Sequence, residues 1–229
     1  KMKTFILIGL VLALAFAQTP IPDHPDGYTY NSANTKKLVR LDVYEDLLCI
    51  DCKHFEPGFK AYLNTETIDG VKVTEFIETV VHIFPLPYHH HAFIAAQLVP
   101  FIFALNKNQS QVFAFSDWIF DVQEEFNAGS VELSQPQVQD KLCTEASAAL
   151  DFLDRAACLE EFNNNAHNND ARVSWKLAAY NGVTGTPTVF LNGVEVDAPL
   201  TVSDWKFLLT PYLTTTQAVV ESALNEIAQ

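Results

Sequence analysis

Two cysteines separated by two residues are the part of the sequence best suited to chemistry. Cys49 and Cys52 form a C-x-x-C pair at the point where an alternating, strand-like segment gives way to a helical one. A thiol there gains acidity from the dipole and the free N–H groups of the helix N-terminus. The spacing therefore favours dithiol–disulfide exchange, with Cys49 as the exposed nucleophile and Cys52 as the resolving thiol.

A zinc half-site and a structural disulfide are the two other interpretations of this pair. Structural zinc needs four ligands, and the remaining cysteines, Cys143 and Cys158, do not form a second C-x-x-C. A disulfide that closes so short a loop would stabilise the fold little. Redox exchange is the better interpretation, and the sequence predicts no metal site.

Cys143 and Cys158 lie in a stretch with helical periodicity and suit a structural bridge between two helices. On a chain-entropy argument, closing a loop of about 15 residues contributes ~3 kcal/mol. Two free buried thiols, or a second redox pair, are the alternatives that the residues leave open.

Hydrophobic periodicity predicts the elements that position these cysteines. Strand-like alternation covers three segments: 38–44, 79–84 and 186–191. The third segment is followed by the turn Asn192-Gly193 and a short partner strand. Between about 88 and 182 strand signals give way to helical ones, and Pro100 is expected to kink or end the first helix. Further helices are predicted over 135–155, 159–180, a short segment capped at Ser203-Asp204, and 217–227. The simplest architecture is one α/β domain with a helical insertion.

Composition and charge restrict the class of protein. The chain has 229 residues, a net charge of −14 and 48% hydrophobic residues, so it can bury a sizeable core and is not disordered. Binding to nucleic acid or anionic lipid depends on clustered Lys and Arg, which the sequence lacks. Neutral or basic partners are expected.

The N-terminus predicts a route out of the cytosol. Residues 1–17 combine a short basic start, an apolar run too short to span a bilayer, and small residues before Gln18, which is typical of a cleaved signal peptide. Residues 18–229 would then be a single domain without membrane attachment, secreted or in a secretory-pathway lumen, since no KDEL-like signal is present. The sequon at Asn108 is a possible N-glycosylation site.

Three segments resemble the DsbA-like branch of the thioredoxin-fold oxidoreductases. The run from Cys49 to Pro57 is similar to the active-site helix of that superfamily, and Val183–Phe190 resembles its cis-proline loop. The proline-rich segment 84–93 and the long helical insertion resemble the DsbA-like branch. The resemblance covers most of residues 36–210.

This resemblance implies a thioredoxin fold with a large helical insertion, at about residues 88–182, and a protein disulfide oxidoreductase. It implies that Pro187 is cis and that the Thr186 backbone pairs with an incoming chain. The substrates would be cysteine-containing proteins or peptides, and no dissociable cofactor is needed. A redox-silent secreted binding protein of the same fold is the alternative.

Residues near the cysteines are expected to tune their chemistry. Strongly oxidising relatives carry a histidine before the second cysteine, where this chain has Asp51; a carboxylate there should raise the pKa of Cys49 relative to a histidine version. We therefore hypothesise a weaker oxidant than DsbA. His54, in the next helical turn, is a candidate for partial compensation.

The proton-relay acid of many relatives sits six residues before the first cysteine, where this chain has Val43. Asp42 and Asp46 are therefore the candidates, Asp42 as the relay and Asp46 as either a modulator or a helix-start residue. The triplet His89-His90-His91 invites a metal interpretation, but adjacent helical residues point in different directions. A solvated helix start is favoured for the triplet.

Overall fold

A five-stranded mixed sheet forms the centre of the protein. The computed structural model describes the backbone of residues 25–30 and 39–227 and side chains up to Thr214; the predicted signal peptide lies outside these residues. The sheet has the order β1-β5-β2-β6-β7, and β3 and β4 form a separate small pair. The strands are β1 Tyr28–Tyr30, β2 Val39–Glu45, β3 Thr67–Ile68, β4 Val71–Lys72, β5 Ile77–Ile83, β6 Thr188–Leu191 and β7 Val194–Val196.

The two central strands run parallel and bring their ends to one edge. Val43 of β2 pairs with Val81 of β5 in parallel and with Val189 of β6 in antiparallel orientation. Because β2 and β5 end together, the segments that follow them meet: Phe84 N donates to Glu45 O at 2.7 Å. This edge carries the C-x-x-C segment.

In the part of the chain that the structure describes, seven helices complete the architecture, and five of them lie between β5 and β6. No helix within the described residues is long and apolar enough to cross a bilayer. The helices are α1 Ile50–Thr65, α2 Ala92–Asn106, α3 Gln109–Phe126, α4 Gln135–Ala149, α5 Arg155–Asn164, α6 Asn168–Tyr180 and α7 Val202–Ile227. The predicted α/β class with a large helical block is confirmed.

The sheet buries a different set of side chains on each face. On one face α1 and α7 meet around Trp205, whose fully buried ring lies 5.7 Å from that of Phe55 and 5.4 Å from that of Phe59. On the other face Tyr44 and Ala178 belong to a second, smaller cluster. Burying each large apolar side chain contributes about 1.5–3 kcal/mol, so the aromatic cluster under α1 is a main source of stability.

Helix α1 and the chain before α7 approach each other at Gly58. A Cβ atom built on Gly58 would lie 2.0 Å from the backbone oxygen of Leu200. Real Cβ atoms do not come so close to a carbonyl oxygen, so the packing of α7 against the active-site helix requires glycine at this position.

Several predicted boundaries differ from the structure. Helix α2 continues through Pro100 to Asn106. A proline inside a helix removes one backbone hydrogen bond and clashes with the preceding turn, at a cost of about 3 kcal/mol. The burial of most of this helix outweighs that cost. The predicted helix 135–155 ends at Ala149, and Asp154 caps α5 by accepting from Ala157 N. The two predicted C-terminal helices form one, α7, and Thr201 rather than Ser203 exchanges capping hydrogen bonds with Asp204. The sequence also did not predict β1, β3 or β4.

A buried histidine joins the N-terminal segment to the sheet. His82 Nδ1 lies 2.8 Å from Asp26 Oδ2, and His82 Nε2 lies 2.9 Å from Asp42 Oδ1. Burial alone would lower the pKa of His82, but the two carboxylates outweigh it and the pKa is raised. Burial would likewise raise the pKa of Asp42, but His82 and Arg40 outweigh it and the pKa is lowered. The charged triad is therefore the stable form at mildly acidic pH.

Replacing His82 with phenylalanine should destabilise the protein most near pH 5. The stabilisation from His82 is complete below its unfolded pKa of 6.5 and is lost as the pH rises through the raised folded value. The stabilisation from Asp42 is present above its unfolded pKa of 3.8 and is lost as the pH falls through its lowered folded pKa. We expect a loss of about 2–4 kcal/mol at pH 5 that shrinks towards pH 9, measured by urea unfolding. The exposed His54→Phe is the control; equal losses for His82→Phe at both values of pH would contradict the triad.

Candidate active site

Cys49 lies at the N-terminus of α1, directly after the turn that follows β2. It is the N-cap residue of the helix, with φ −82° and ψ 123°, and its Sγ donates to the carbonyl oxygen of Thr186 at 3.4 Å. Cys49 is 4% exposed and Cys52 is fully buried, and both are free thiols. Cys49 is therefore buried, and not exposed as the sequence predicted, although it keeps slightly more accessible surface than Cys52.

The two thiols differ in acidity. A hydrogen bond from Cys52 is the largest cause that lowers the pKa of Cys49, from 9.0 to about 6; Thr186 and the backbone N–H groups of Asp51 and Cys52 act in the same direction, against desolvation. Burial is the largest cause that raises the pKa of Cys52 well above its usual range. At neutral pH Cys49 is mainly a thiolate and Cys52 a thiol, which is the division of charge that a nucleophile and a resolving thiol require.

Asp46 fixes the turn that presents Cys49. Its buried carboxylate accepts from Leu48 N and Leu86 N, both at 2.8 Å, and lies 2.6 Å from His89 Nδ1. Its backbone oxygen accepts from Cys49 N at 3.0 Å. Asp46 therefore organises the loops after both central strands, which is a positioning role.

Helix α3 of the inserted block holds the same turn from the other side. Gln123 Nε2 donates to Leu47 O at 3.1 Å and to Cys49 O at 2.9 Å, and Asn127 Nδ2 donates to Leu48 O at 3.0 Å. Gln123 is 2% exposed, so water does not replace these bonds. Sequence reasoning missed both residues; their only signal is an amide on the apolar face of a helix.

Replacing Gln123 with leucine should lower the free energy of unfolding by about 1–3 kcal/mol. The substitution keeps the side-chain size but leaves the buried Leu47 carbonyl oxygen without the Gln123 donor, at about 1–3 kcal/mol, whereas Cys49 O keeps its hydrogen bond from Lys53 N at 3.1 Å. Urea unfolding measures the loss. Gln111→Leu, in the first turn of the same helix and partly exposed, is the matched control and should change stability by about 0.5 kcal/mol or less; a similar loss in both variants would contradict this role.

A buried acid lies beside Cys52. Glu45 is 1% exposed, its Oε1 has no hydrogen-bond partner within the described chain, and its charge raises the pKa of Cys52. Burial is the largest cause, and the neighbouring Glu56 the second, that raise the pKa of Glu45 itself well above its usual range. Lys60 forms ion pairs with Glu56 and Asp117 at the outer end of this group.

The predicted modulators lie elsewhere. Successive strand residues face opposite sides, so Leu41, Val43 and Glu45 share the face under α1, whereas Asp42 points to the other face and binds His82 and Arg40. The carboxyl at the site is therefore Glu45, and not Asp42 as the sequence was interpreted. Asp51 and His54 are both exposed.

The loop before β6 faces the cysteines across the site. The Thr186–Pro187 peptide bond is cis. The Thr186 carbonyl accepts from Cys49, and its buried hydroxyl, which has no hydrogen-bond partner among the described residues, acts to lower the pKa of both sulfurs. The loop thus places two polar groups of Thr186 beside the sulfurs.

The histidine triplet diverges. The ring of His89 binds Asp46, His91 Nε2 lies 3.1 Å from Ser130 O, and His90 is exposed. No group of three His, Cys, Asp or Glu side chains within the described part of the chain is arranged to hold a metal ion.

Three further sequence-predicted residues lie in the helical block. Cys143 of α4 and Cys158 of α5 are fully buried and form a disulfide with a Cα–Cα distance of 5.6 Å. Asn108 is exposed and caps α3, with its Oδ1 accepting from Ser110 N.

Solved structures share this arrangement of sheet and inserted helices. Wolbachia pipientis alpha-DsbA1 matches with 16% identity and a TM-score of 0.64, covering 90% of this chain and 98% of that one. A putative protein-disulfide isomerase from Pseudomonas syringae matches with 15% identity and a TM-score of 0.61, covering 79% and 96%. Pseudomonas aeruginosa DsbA2 matches with 20% identity and a TM-score of 0.56, covering 82% and 96%. The protein therefore has a DsbA-like thioredoxin fold, as the sequence resemblance predicts.

The family assignment comes from a sequence comparison. The family model described as thioredoxin matches residues 32–210, which is most of the chain, and the protein belongs to this family. A comparison with curated proteins finds no match.

Proposed function

We propose that the protein is a thiol–disulfide oxidoreductase that acts on the cysteines of other proteins or peptides. The observation that carries the proposal is the opposite shift of the two pKa values: that of Cys49 falls to about 6 and that of Cys52 rises. A structural disulfide or a packing role gives no reason for this difference. Membership of the thioredoxin family supports the same reaction class.

The reaction proceeds through a mixed disulfide. The Cys49 thiolate attacks one sulfur of a substrate disulfide, forming an S–S bond to it and releasing the other substrate sulfur as a thiolate that takes up a proton. Cys52, once deprotonated, attacks Cys49 Sγ; the mixed disulfide breaks, the substrate becomes a dithiol, and Cys49–Cys52 becomes a disulfide. The reverse sequence oxidises a substrate dithiol.

Glu45 is the proposed acceptor of the Cys52 proton. The resolving step requires a thiolate at a fully buried sulfur, where bulk water does not collect the proton. Burial raises the pKa of the carboxyl next to that sulfur, which makes it a stronger base than an ordinary carboxylate and suits it to accept the proton. Thr186 and Pro187 hold the substrate chain in this proposal, with the Thr186 backbone pairing with it.

Insulin reduction with dithiothreitol tests the proposal. Wild-type protein should catalyse the reduction and Cys49→Ser should not, while Cys52→Ser should accumulate a mixed disulfide visible on a non-reducing gel. Asn108→Gln, which leaves the site intact, is the control. Absence of wild-type turnover would favour the alternative, a redox-silent binding protein.

Direction and location complete the proposal. The strongest oxidants of this kind have a reduction potential of about −120 mV. With Asp51 in place of a histidine, we expect the Cys49–Cys52 disulfide to be less oxidising than that. A redox titration that gave a potential of about −120 mV would contradict this expectation. The protein is proposed to be secreted or luminal after removal of residues 1–17. The exposed Asn108 is then a glycan acceptor, detected by a shift in mass after glycosidase treatment.

A further inference from the structure

A cavity of about 400 Å³ lies between helix α6 and the proline-rich segment that follows β5. We call it the α6 cavity. More than half of its lining residues are apolar or aromatic, and the others are cationic or imidazole side chains. The residues used below are Pro85, Phe93, His90, Arg172, Trp175 and Lys176.

The charge of the α6 cavity is opposite to that of the chain. None of its lining residues is acidic, although the chain carries 28 acidic residues against 14 Lys and Arg. Of two other cavities, one is acidic, lined by Glu195, Asp197 and Asp204, and the other has one charge of each sign, Lys107 and Asp117. The α6 cavity therefore differs in a way that favours an anionic ligand.

Among the described residues, the two full positive charges at the cavity have no acidic partner. Within the described side chains neither Arg172 nor Lys176 contacts a carboxylate, whereas Lys141, Arg155 and Lys206 each do. Residues four apart on a helix lie on one face, and like charges at that spacing repel. An anion between the two side chains would remove this repulsion.

The apolar wall between these cations is rigid. Trp175 Nε1 donates to Pro85 O at 3.1 Å, and the indole stacks on Phe84 with a ring-centroid distance of 5.5 Å and an interplanar angle of 10°. Trp175 is still 37% exposed. A large exposed aromatic ring that is already fixed in place binds an apolar group without paying much ordering entropy.

We propose that the α6 cavity is a binding site for a carboxylate carried on an aromatic or aliphatic body. The guanidinium of Arg172 and the ammonium of Lys176 bind the carboxylate, and Trp175, Phe93 and Pro85 contact the body. The largely apolar lining suits one negative charge better than a phosphate dianion, because removing a second charge from water costs more free energy.

The cavity lies at the same sheet edge as the cysteines. Asp46 binds Leu86 N and His89, which both line the cavity, and its backbone oxygen accepts from Cys49 N. The carboxylate can therefore come from a free small molecule or from an acidic side chain of a polypeptide bound near Cys49. Binding itself does not depend on the redox proposal, since neither cysteine lines the cavity.

Isothermal titration calorimetry on the full protein tests the site, with 3-phenylpropionate as the probe and the neutral 3-phenylpropionamide as its matched control. We expect the carboxylate to bind about tenfold more tightly than the amide, and Arg172→Ala or Lys176→Ala to weaken it about tenfold each. Arg155→Ala and Lys206→Ala remove exposed cations away from the cavity and should leave binding unchanged. Cys49→Ser should bind like the wild type even if the redox proposal fails.

Two further titrations assign the source of the carboxylate. Tighter binding of a capped Phe–Glu dipeptide than of 3-phenylpropionate supports the site and assigns it to an acidic polypeptide segment; the reverse order supports it and assigns it to a free carboxylate. The proposal is overturned if neither ligand binds more tightly than the amide, or if phenyl phosphate binds more tightly than both. Unchanged affinity in the Arg172→Ala, Lys176→Ala double variant would overturn it too.

Discussion

Replacing Glu45 with glutamine should slow the resolving step by about ten- to a hundred-fold at pH 7 while leaving the attack of Cys49 unchanged. Two effects oppose each other. Loss of the negative charge removes one of the causes that raise the pKa of Cys52 and so favours its thiolate. Loss of the proton acceptor costs about 10²–10⁴, so the second effect dominates. Stopped-flow measurement of the decay of the mixed disulfide gives the rate.

The same substitution should stabilise the protein by about 1–2 kcal/mol, because it removes a buried ionisable carboxyl that repels the neighbouring Glu56. If Glu45→Gln instead both destabilised the protein and slowed the resolving step, Glu45 would have a structural role. Asp42→Asn is the control: it lies on the other face of the sheet and should leave the rate of resolution unchanged. Equal slowing in both variants would remove Glu45 from the mechanism.

Replacing Gly58 with alanine should reduce the free energy of unfolding by about 3 kcal/mol or more. The new methyl group meets the Leu200 backbone oxygen at 2.0 Å, and backbone on both sides resists the shift, since α1 and α7 share the cluster around Trp205. Overpacking of this kind costs about 1–3 kcal/mol for side chains alone, and a backbone neighbour yields less. Urea unfolding measures the change.

Gly185→Ala is the matched control for Gly58, because a Cβ there would have no neighbour within 4 Å. We expect it to change stability by about 0.5 kcal/mol or less. Near-native stability of Gly58→Ala would show that α7 moves away from α1 without cost, and the close packing of the two helices would then not be required for folding.

Local sequence signals predicted the elements near the cysteines well. The alternation of β2, the turn Asn192-Gly193 and the helix start at Cys49 depend on neighbouring residues, and the structure has them. The three-residue strand β1 and the continuation of α2 through Pro100 were missed because both depend on burial against distant parts of the chain. A local pattern does not contain that information.

The chemistry of the site was predicted only in part. The C-x-x-C pair is visible in the sequence, but the carboxyl beside Cys52 was sought at Val43 and Asp42. Alternation along β2 places Glu45 on the same face as Val43, and extending the predicted strand by one residue beyond Tyr44 would have found it. Gln123 is a different case: only the docking of α3 on the turn reveals that its amide binds Cys49 O.

The three residues of β1 have a consequence for how the protein is produced and processed. They pair antiparallel with β5, and Asp26 ties them to His82 at the rim of the sheet. Proteolytic trimming that removed residues up to Tyr30 would uncover the N–H and C=O groups of β5 along Thr79–Val81, the three residues that β1 pairs with. Such an edge is a template for strand addition by another molecule, so the trimmed protein should self-associate into polymers although its cysteine pair is intact.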